Sequence, residues 1–196
     1  MIYLAGALWL AIYVFLRRSR AWLLAYVVGA VGFTLILVYF VRGSALESAF
    51  ETAGAVGAHY VGDALRIPTR VFLNAPGTLL VLIVYQKAGW TAVEVDIECS
   101  GLLESIVFLG LVAFFRGLPW GRKIWYLSVG LLFTYVVNVI RIVIIVAMIS
   151  YFGKDAIYLA HTVVGRAVFF ALVINLYWYT FTRTTMETLR HRILEE

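Results

Sequence analysis

Residues 124–149 hold a single charged side chain, Arg141, in an otherwise apolar run. A helix crosses the ~30 Å hydrocarbon core of a bilayer with ~17–25 such residues, so this segment reads as a membrane span. Four further apolar runs, 2–16, 21–41, 101–115 and 162–181, read the same way. The first and third are short for a span; each extends into its flanks or thins the bilayer locally. Composition agrees. With 63% hydrophobic residues, 14% charged and a mean hydropathy of +0.94, the chain has too little polar surface for a water-soluble domain. The expectation is an α-helical integral membrane protein of about five transmembrane helices, forming one membrane domain over 1–196. Residues 2–16 are not a cleavable signal, because Arg17, Arg18 and Arg20 follow the apolar run instead of preceding it.

The net charge of +5 is distributed as the positive-inside rule asks, so topology accounts for it and no nucleic-acid partner is expected. One set of loops collects nine basic residues: Arg17, Arg18, Arg20, Arg116, Arg122, Lys123, Arg183, Arg190 and Arg192. The other set holds five, Arg42, Arg66, Arg70, Lys87 and Lys154, mostly in one long loop. This places the amino terminus outside and the carboxyl terminus in the cytoplasm of a multi-pass cell-membrane protein. Residues 1–41 then carry two spans and 42–98 form an extracytoplasmic segment. Residues 99–181 carry three more spans, and 182–196 form a cytoplasmic tail.

Within the extracytoplasmic segment, 44–65 mixes small, apolar and polar residues and reads as an interfacial helix on the membrane surface. Strict alternation over Val93–Glu98 predicts a half-buried strand across 91–98, and 78–86 is a β-branched run too short to span. With a turn at 87–90 they make a small β-hairpin. A third strand from 70–73 is set off by Asn74, Pro76 and Gly77.

Polar groups at membrane depth are expensive and point to function by default. Glu104 lies in the third span, Asn138 and Arg141 in the fourth and Arg166 in the fifth, while Cys99 and His161 sit at the outer ends of the third and fifth. Cys99 is the only cysteine, so no internal disulfide forms. Arg141 lies roughly 12 Å below the outer end of its helix and would snorkel upward to reach Cys99 and His161. Asn138 and Arg141, three residues apart, share a helix face. Cys99 precedes the amino end of a helix whose dipole favours a thiolate, and His161 likewise precedes an amino end, which favours neutral imidazole. A nearby thiolate pulls the histidine the other way, and the two effects leave the protonation of the pair open. The permanently charged Arg141 suits an oxyanion or a carboxylate. A purely structural Arg141–Glu104 ion pair between two helices accounts for those two residues equally well at this point. Arg166 can pair with Glu104 or face a substrate. Trp22, Tyr39, Trp120, Trp125 and Trp178 near span ends fit an interfacial belt, and His59 and His191 fit an ordinary surface.

The order of motifs adds more than any one of them. Glu98-Cys99-Ser100-Gly101-Leu102 follows the alternating strand and opens a span. Asn138-Val139-Ile140-Arg141 lies in the next span, and His161 with Gly165 opens the last. Over roughly 45–170 the chain resembles the exosortase/archaeosortase family of membrane cysteine transpeptidases, which carry Cys-Ser-Gly, Asn-x-x-Arg and a downstream His (Arg in archaeosortases). His161 places it nearer the exosortases. Many exosortases have additional amino-terminal spans, and this shorter chain is similar to compact variants, including those of Gram-positive bacteria.

The resemblance implies cleavage of a carboxy-terminal sorting signal on a membrane-anchored protein: a short motif, a helix and a basic tail. It implies Cys99 as nucleophile, Arg141 as oxyanion or substrate stabiliser and His161 as acid/base, with Glu98, Ser100, Gly101, Glu104, Asn138 and Arg166 in support. The thioester passes to a lipid, glycan or other acceptor, or to water. No metal or other cofactor is expected. The alternatives are a cysteine protease that only hydrolyses its substrate, and a non-enzymatic membrane helper or transport protein built around an Arg141–Glu104 pair.

Overall fold

The computed structural model describes residues 2–73, 80–86, 89–183 and 186. Nearly all of the expected 182–196 tail, with Arg190, His191 and Arg192, lies outside them. So do Asn74, Pro76, Gly77, Thr78 and Lys87 of the expected strand region.

Six α-helices and three strands follow in chain order among the described residues. Helices α1 (Ile2–Arg18) and α2 (Trp22–Val41) form a hairpin, fastened where the Trp9 indole N–H donates to the Val28 carbonyl at 2.7 Å. Helix α3 (Ala45–Ala64) starts at Ser44, and the Glu47 carboxylate turns back to accept from the Gly43 N–H, much as in a capping box. Strands β1 (Thr69–Leu73), β2 (Leu80–Gln86) and β3 (Gly89–Glu94) make an antiparallel meander in the order β1-β2-β3, with Gln86 opposite Gly89 across the hairpin. Helices α4 (Leu102–Phe114) and α5 (Trp120–Phe152) come next. A 3-10 turn (Lys154–Ala156), a π-helical stretch (Leu159–Gly165), α6 (Arg166–Tyr177) and a second π-helical stretch (Trp178–Arg183) complete the described chain.

Among the described residues, three helical stretches, Trp22–Val41, Trp120–Phe152 and Lys154–Arg183, are long and apolar enough to cross a membrane. Helix α4 is apolar but only 13 residues long, and α1 has 17, the two runs that the sequence marks as short. Leu4, Leu8, Leu23, Leu35, Phe170 and Ile174 are exposed on α1, α2 and α6, as lipid-facing side chains are. The protein is an α-helical membrane protein.

Helix α5 is the organising element. Its buried positions Thr134, Val137, Asn138, Arg141, Ile142, Ile145, Val146 and Ile149 recur at three- and four-residue spacing, forming one continuous buried face. Helix α3 lays Gly54, Ala55 and Ala58 against this face, and the Tyr135 hydroxyl donates to the Ala53 carbonyl at 3.0 Å. One side of the expected surface helix is therefore covered by protein. Val93, Val95, Cys99 and Ala160 join the same core cluster as Ile142 and Ile145.

The expected strand across 91–98 stops at Glu94. Alternation persists in burial through Val95, but the Cys99 N–H bonds both the carbonyl and the carboxylate Oδ1 of Asp96, each at 3.0 Å. That local turn withdraws 96–99 from the sheet ladder.

Helices α2 and α4 approach closely through small residues, as membrane helices do. A Cβ at Gly110 would lie 2.7 Å from Thr34 Oγ1 and 3.1 Å from the Ala30 carbonyl oxygen, which as backbone cannot step aside. Gly110→Val is expected to force the pair apart at a cost of about 1–3 kcal/mol. Thermal unfolding of the detergent-solubilised protein checks this; an unchanged midpoint would mean that the two helices are not so closely packed.

Candidate active site

The site forms where the turn before α4 meets the middle of α5 and the π-helical stretch before α6. Ser100 holds the turn: its hydroxyl donates to the Ile97 carbonyl at 2.9 Å and accepts from the Leu102 N–H at 3.3 Å. Gly101 follows at φ 77°, in the left-handed region that favours glycine. A Cβ there would stand 3.1 Å from Asn138 Cβ and Cγ. Gly101 thus serves twice, letting the chain turn into α4 and letting that turn seat directly on α5. The Asn138 amide then donates to the Cys99 carbonyl at 2.8 Å, and Arg141 Nη1 to the Glu98 carbonyl at 3.3 Å.

Cys99 Sγ stands 2.9 Å from His161 Nε2, and Arg141 Nη2 approaches the same sulfur at 3.9 Å. Three segments distant in sequence therefore meet at one sulfur atom. Asn138 and Arg141 are 0% and 4% exposed and Cys99 6%, so these three are almost wholly shielded, while His161 is only half-buried. The Phe169 ring lies 5.4 Å from the guanidinium carbon of Arg141, a cation–π contact from α6.

His161 reaches Cys99 because Leu159–Gly165 is wound as a π-helix, a wider turn found often at functional sites. A Cβ at Gly165 would lie 2.9 Å from the Ala160 carbonyl oxygen and 3.1 Å from the Ile145 side chain, so glycine lets this wide turn rest on α5.

Two features differ from the sequence expectation. Arg141 does not climb to a surface cysteine. Asn138, one turn earlier on α5, already touches the Cys99 backbone, so the cysteine turn descends to the level of the arginine. The dipole of α4 also does not prevail at the sulfur. Cys99 lies three residues before α4, and burial pushes its thiol up to about 12; the Arg141 charge pulls it down, and the Asp96 and Glu98 charges push it further up. Burial thus favours the protonated thiol over the thiolate at Cys99.

The remaining candidates take distinct places. Glu98, Glu104 and Arg166 line a cavity of about 220 Å³ beside Arg141, with Leu103, Phe169 and Phe170. No ion pair among the described residues joins Glu104 to Arg141 or Arg166, and Glu104 Oε2 is buried without a hydrogen-bond partner. A second cavity of about 320 Å³ flanks His161 on the strand side, lined by Ala92, Val93, Glu94, Ile145, Ile157, Tyr158 and Thr162.

Three residues passed over in the sequence belong to this region. Asp96 caps the Cys99 N–H; the Asp-x-x-Cys spacing, read as a turn, was the available signal. No sequence signal sets Phe169 apart from the other apolar residues of its span. Glu51 on α3 is buried, and burial, reinforced by the charges of Glu47, Asp96 and Glu94, holds its carboxyl above the ordinary range. Nothing local in the sequence distinguished it from a surface glutamate.

The family model described as transmembrane exosortase (Exosortase_EpsH) matches residues 1–179. The chain belongs to this family. Among curated proteins and among solved structures, no match is found. The match extends the resemblance seen over 45–170 back to the start of α1, so the two amino-terminal helices are part of the family fold. Membership makes the chain a membrane protein of a family that sorts proteins by cysteine transpeptidation.

A thiol held up to about 12 is protonated throughout the neutral range, and its reactive fraction rises about tenfold per pH unit. Alkylation of Cys99 in the purified protein should therefore accelerate steadily to about pH 10. As the only cysteine, Cys99 gives this measurement without background. A rate that levels off near neutral pH would instead show a resting thiolate–imidazolium pair.

Proposed function

We propose that the chain is a cysteine transpeptidase that cleaves the carboxy-terminal sorting signal of membrane-anchored secreted proteins at the extracytoplasmic face and transfers them to an acceptor. The observation that carries this reading is the meeting of Cys99 Sγ, His161 Nε2 at 2.9 Å and the Arg141 guanidinium at 3.9 Å. A nucleophile within reach of a base, with a fixed cation over it, is the constellation that acyl transfer requires.

In the proposed reaction the substrate helix lies beside α4, α5 and α6, with its scissile bond at the end of the bundle holding Cys99. His161 Nε2 takes the Cys99 proton as the sulfur attacks the carbonyl carbon. Arg141 receives the oxyanion through its Nη groups, and Asn138 holds the cysteine turn in register through the Cys99 carbonyl. Collapse of the tetrahedral intermediate expels the amine, which takes the proton from His161 and leaves a thioester on Cys99. A lipid, glycan or other acceptor then gives its proton to His161, attacks the thioester and restores the thiol; with water as acceptor the outcome is hydrolysis. Glu98, Ser100, Gly101, Glu104 and Arg166 support the site in this reading, through the cysteine turn or the adjoining cavity.

The charge distribution supports an orientation with the amino terminus and Cys99 outside and the 182–196 tail in the cytoplasm. Residues 1–196 then act as one membrane domain: 1–41 carry two spans, 42–98 the outer helix and strands, and 99–181 the site. The non-enzymatic helper or transporter loses its main support, because no Arg141–Glu104 ion pair forms among the described residues.

Cys99→Ala should leave the protein folded in the membrane while a co-expressed substrate with a carboxy-terminal helix and basic tail stays full length by immunoblot. Normal processing by this variant would remove Cys99 from the reaction. Arg141→Lys should lower processing by about 10²-fold or more, because a point charge does not reproduce the planar fork of donors. Wild-type rates in that variant would take Arg141 out of the mechanism.

A further inference from the structure

At the end of the bundle away from Cys99, four helix ends enclose a second charged cavity, of about 260 Å³. Arg17 reaches it from the last turn of α1, Trp22 from the first turn of α2, Arg116 from the segment after α4, and Trp120 and Lys123 from the first turn of α5. No lining residue is acidic. The described acidic residues all lie on α3, on β3 and the turn after it, in the first turn of α4 or in the Lys154–Ala156 turn. Arg17, Arg116 and Lys123 form no ion pair among the described residues.

Topology alone asks for basic residues in these loops, and any arrangement of them would satisfy it. Here they are instead gathered around one hollow and held by aromatic rings. The Arg116 guanidinium lies 4.1 Å from the centre of the Trp22 ring, which orders the group while leaving its edge of N–H donors free. Lys123 Nζ lies 5.3 Å from the Trp120 ring and donates to the Ala113 carbonyl at 2.7 Å, closing the end of α4 and keeping two donors in reserve. Two helix amino ends and two carboxyl ends meet here, so their dipoles largely cancel and the side chains set the sign. Trp22 and Trp120 are both exposed, as tryptophans at headgroup level are.

We propose that this cavity binds a phosphate group, presented by the headgroup of an anionic phospholipid such as phosphatidylglycerol. A basic hollow between membrane helix ends, walled by interfacial aromatics, matches a phosphodiester at the depth where the headgroups lie. In the orientation proposed above, it opens to the cytoplasmic leaflet, where anionic lipids concentrate. One phosphate touching Arg17, Arg116 and Lys123 ties the α1–α2 hairpin to α4 and α5, so the lipid stabilises the folded bundle by binding it in preference to the unfolded chain.

The test uses the full-length protein in neutral detergent, titrated with phosphatidylglycerol or phosphatidylcholine and read by native mass spectrometry and thermal unfolding. Phosphatidylglycerol should be retained and raise the unfolding midpoint, and phosphatidylcholine should do neither. The combined Arg17→Gln, Arg116→Gln and Lys123→Gln variant should lose affinity by about fivefold for each cation removed. Arg122→Gln, outside the cavity, should bind as the wild type does. Undiminished phosphatidylglycerol binding by the folded triple variant, or equal binding of both lipids by the wild type, overturns the proposal. Should the triple variant fail to fold, Arg116→Gln alone decides, and undiminished binding there overturns it equally. Millimolar inorganic phosphate is the remaining arm: a midpoint shift as large as that from phosphatidylglycerol overturns the lipid as source in favour of a soluble phosphate ester.

Discussion

A guanidinium that cannot lose its charge must be satisfied by protein when it lies at membrane depth. In this chain that demand falls on Arg141, and the turn carrying Cys99 meets part of it, the buried Nε having no partner among the described residues. The backbone carbonyl of Glu98 accepts from Arg141, that of Cys99 accepts from Asn138, and the sulfur itself lies within reach of the charge. The bundle is organised around this docking. Gly101 brings the turn onto α5, the small residues of α3 cover the same face, and Phe169 of α6 closes over the guanidinium. Burying one cation thereby brings together α5, the turn before α4 and Phe169 of α6.

The same burial shapes the chemistry proposed for the site. A thiolate would gain from the nearby positive charge, but shielding from water penalises it more, and the acidic neighbours Asp96 and Glu98 add to the penalty. Burial therefore favours the thiol form beside His161. In the proposed mechanism, proton transfer to His161 accompanies attack, and Arg141 meets the charge where it develops, on the substrate oxygen. In that mechanism the cavity beside Arg141 and the one beside His161 would hold a substrate segment and an acceptor. At the far end, basic and aromatic residues gather where four helices terminate, so the two ends of the bundle carry different chemistry.

Much of this was legible in the chain. The apolar runs mark the helices to within a few residues, because lipid demands long stretches without charge. Glu98-Cys99-Ser100-Gly101, Asn138-x-x-Arg141 and His161 could be singled out because polar groups are rare at such depth. Less legible were contacts that depend on local geometry. The alternation through Glu98 concealed a turn, since side-chain periodicity does not reveal that Asp96 captures the Cys99 N–H. The π-helical winding around His161 leaves the apolar pattern intact, and the close fit of Gly165 against Ala160 and Ile145 shows only in three dimensions. Glu51 resembled a surface residue because its burial is created by elements far away in the sequence.

From the sequence alone came the solvent and the parts. Hydropathy and charge identify a helical membrane protein, and the ordered motifs identify a family, since both follow from residue types and spacing. The tertiary structure decided how the parts meet. It set the level at which Cys99 lies against α5, the burial of its sulfur, and the separation of Glu104 from Arg141. Those depend on distances of a few ångströms between segments some 20 to 60 residues apart along the chain, and on how much water is excluded when they close. No local pattern carries that information.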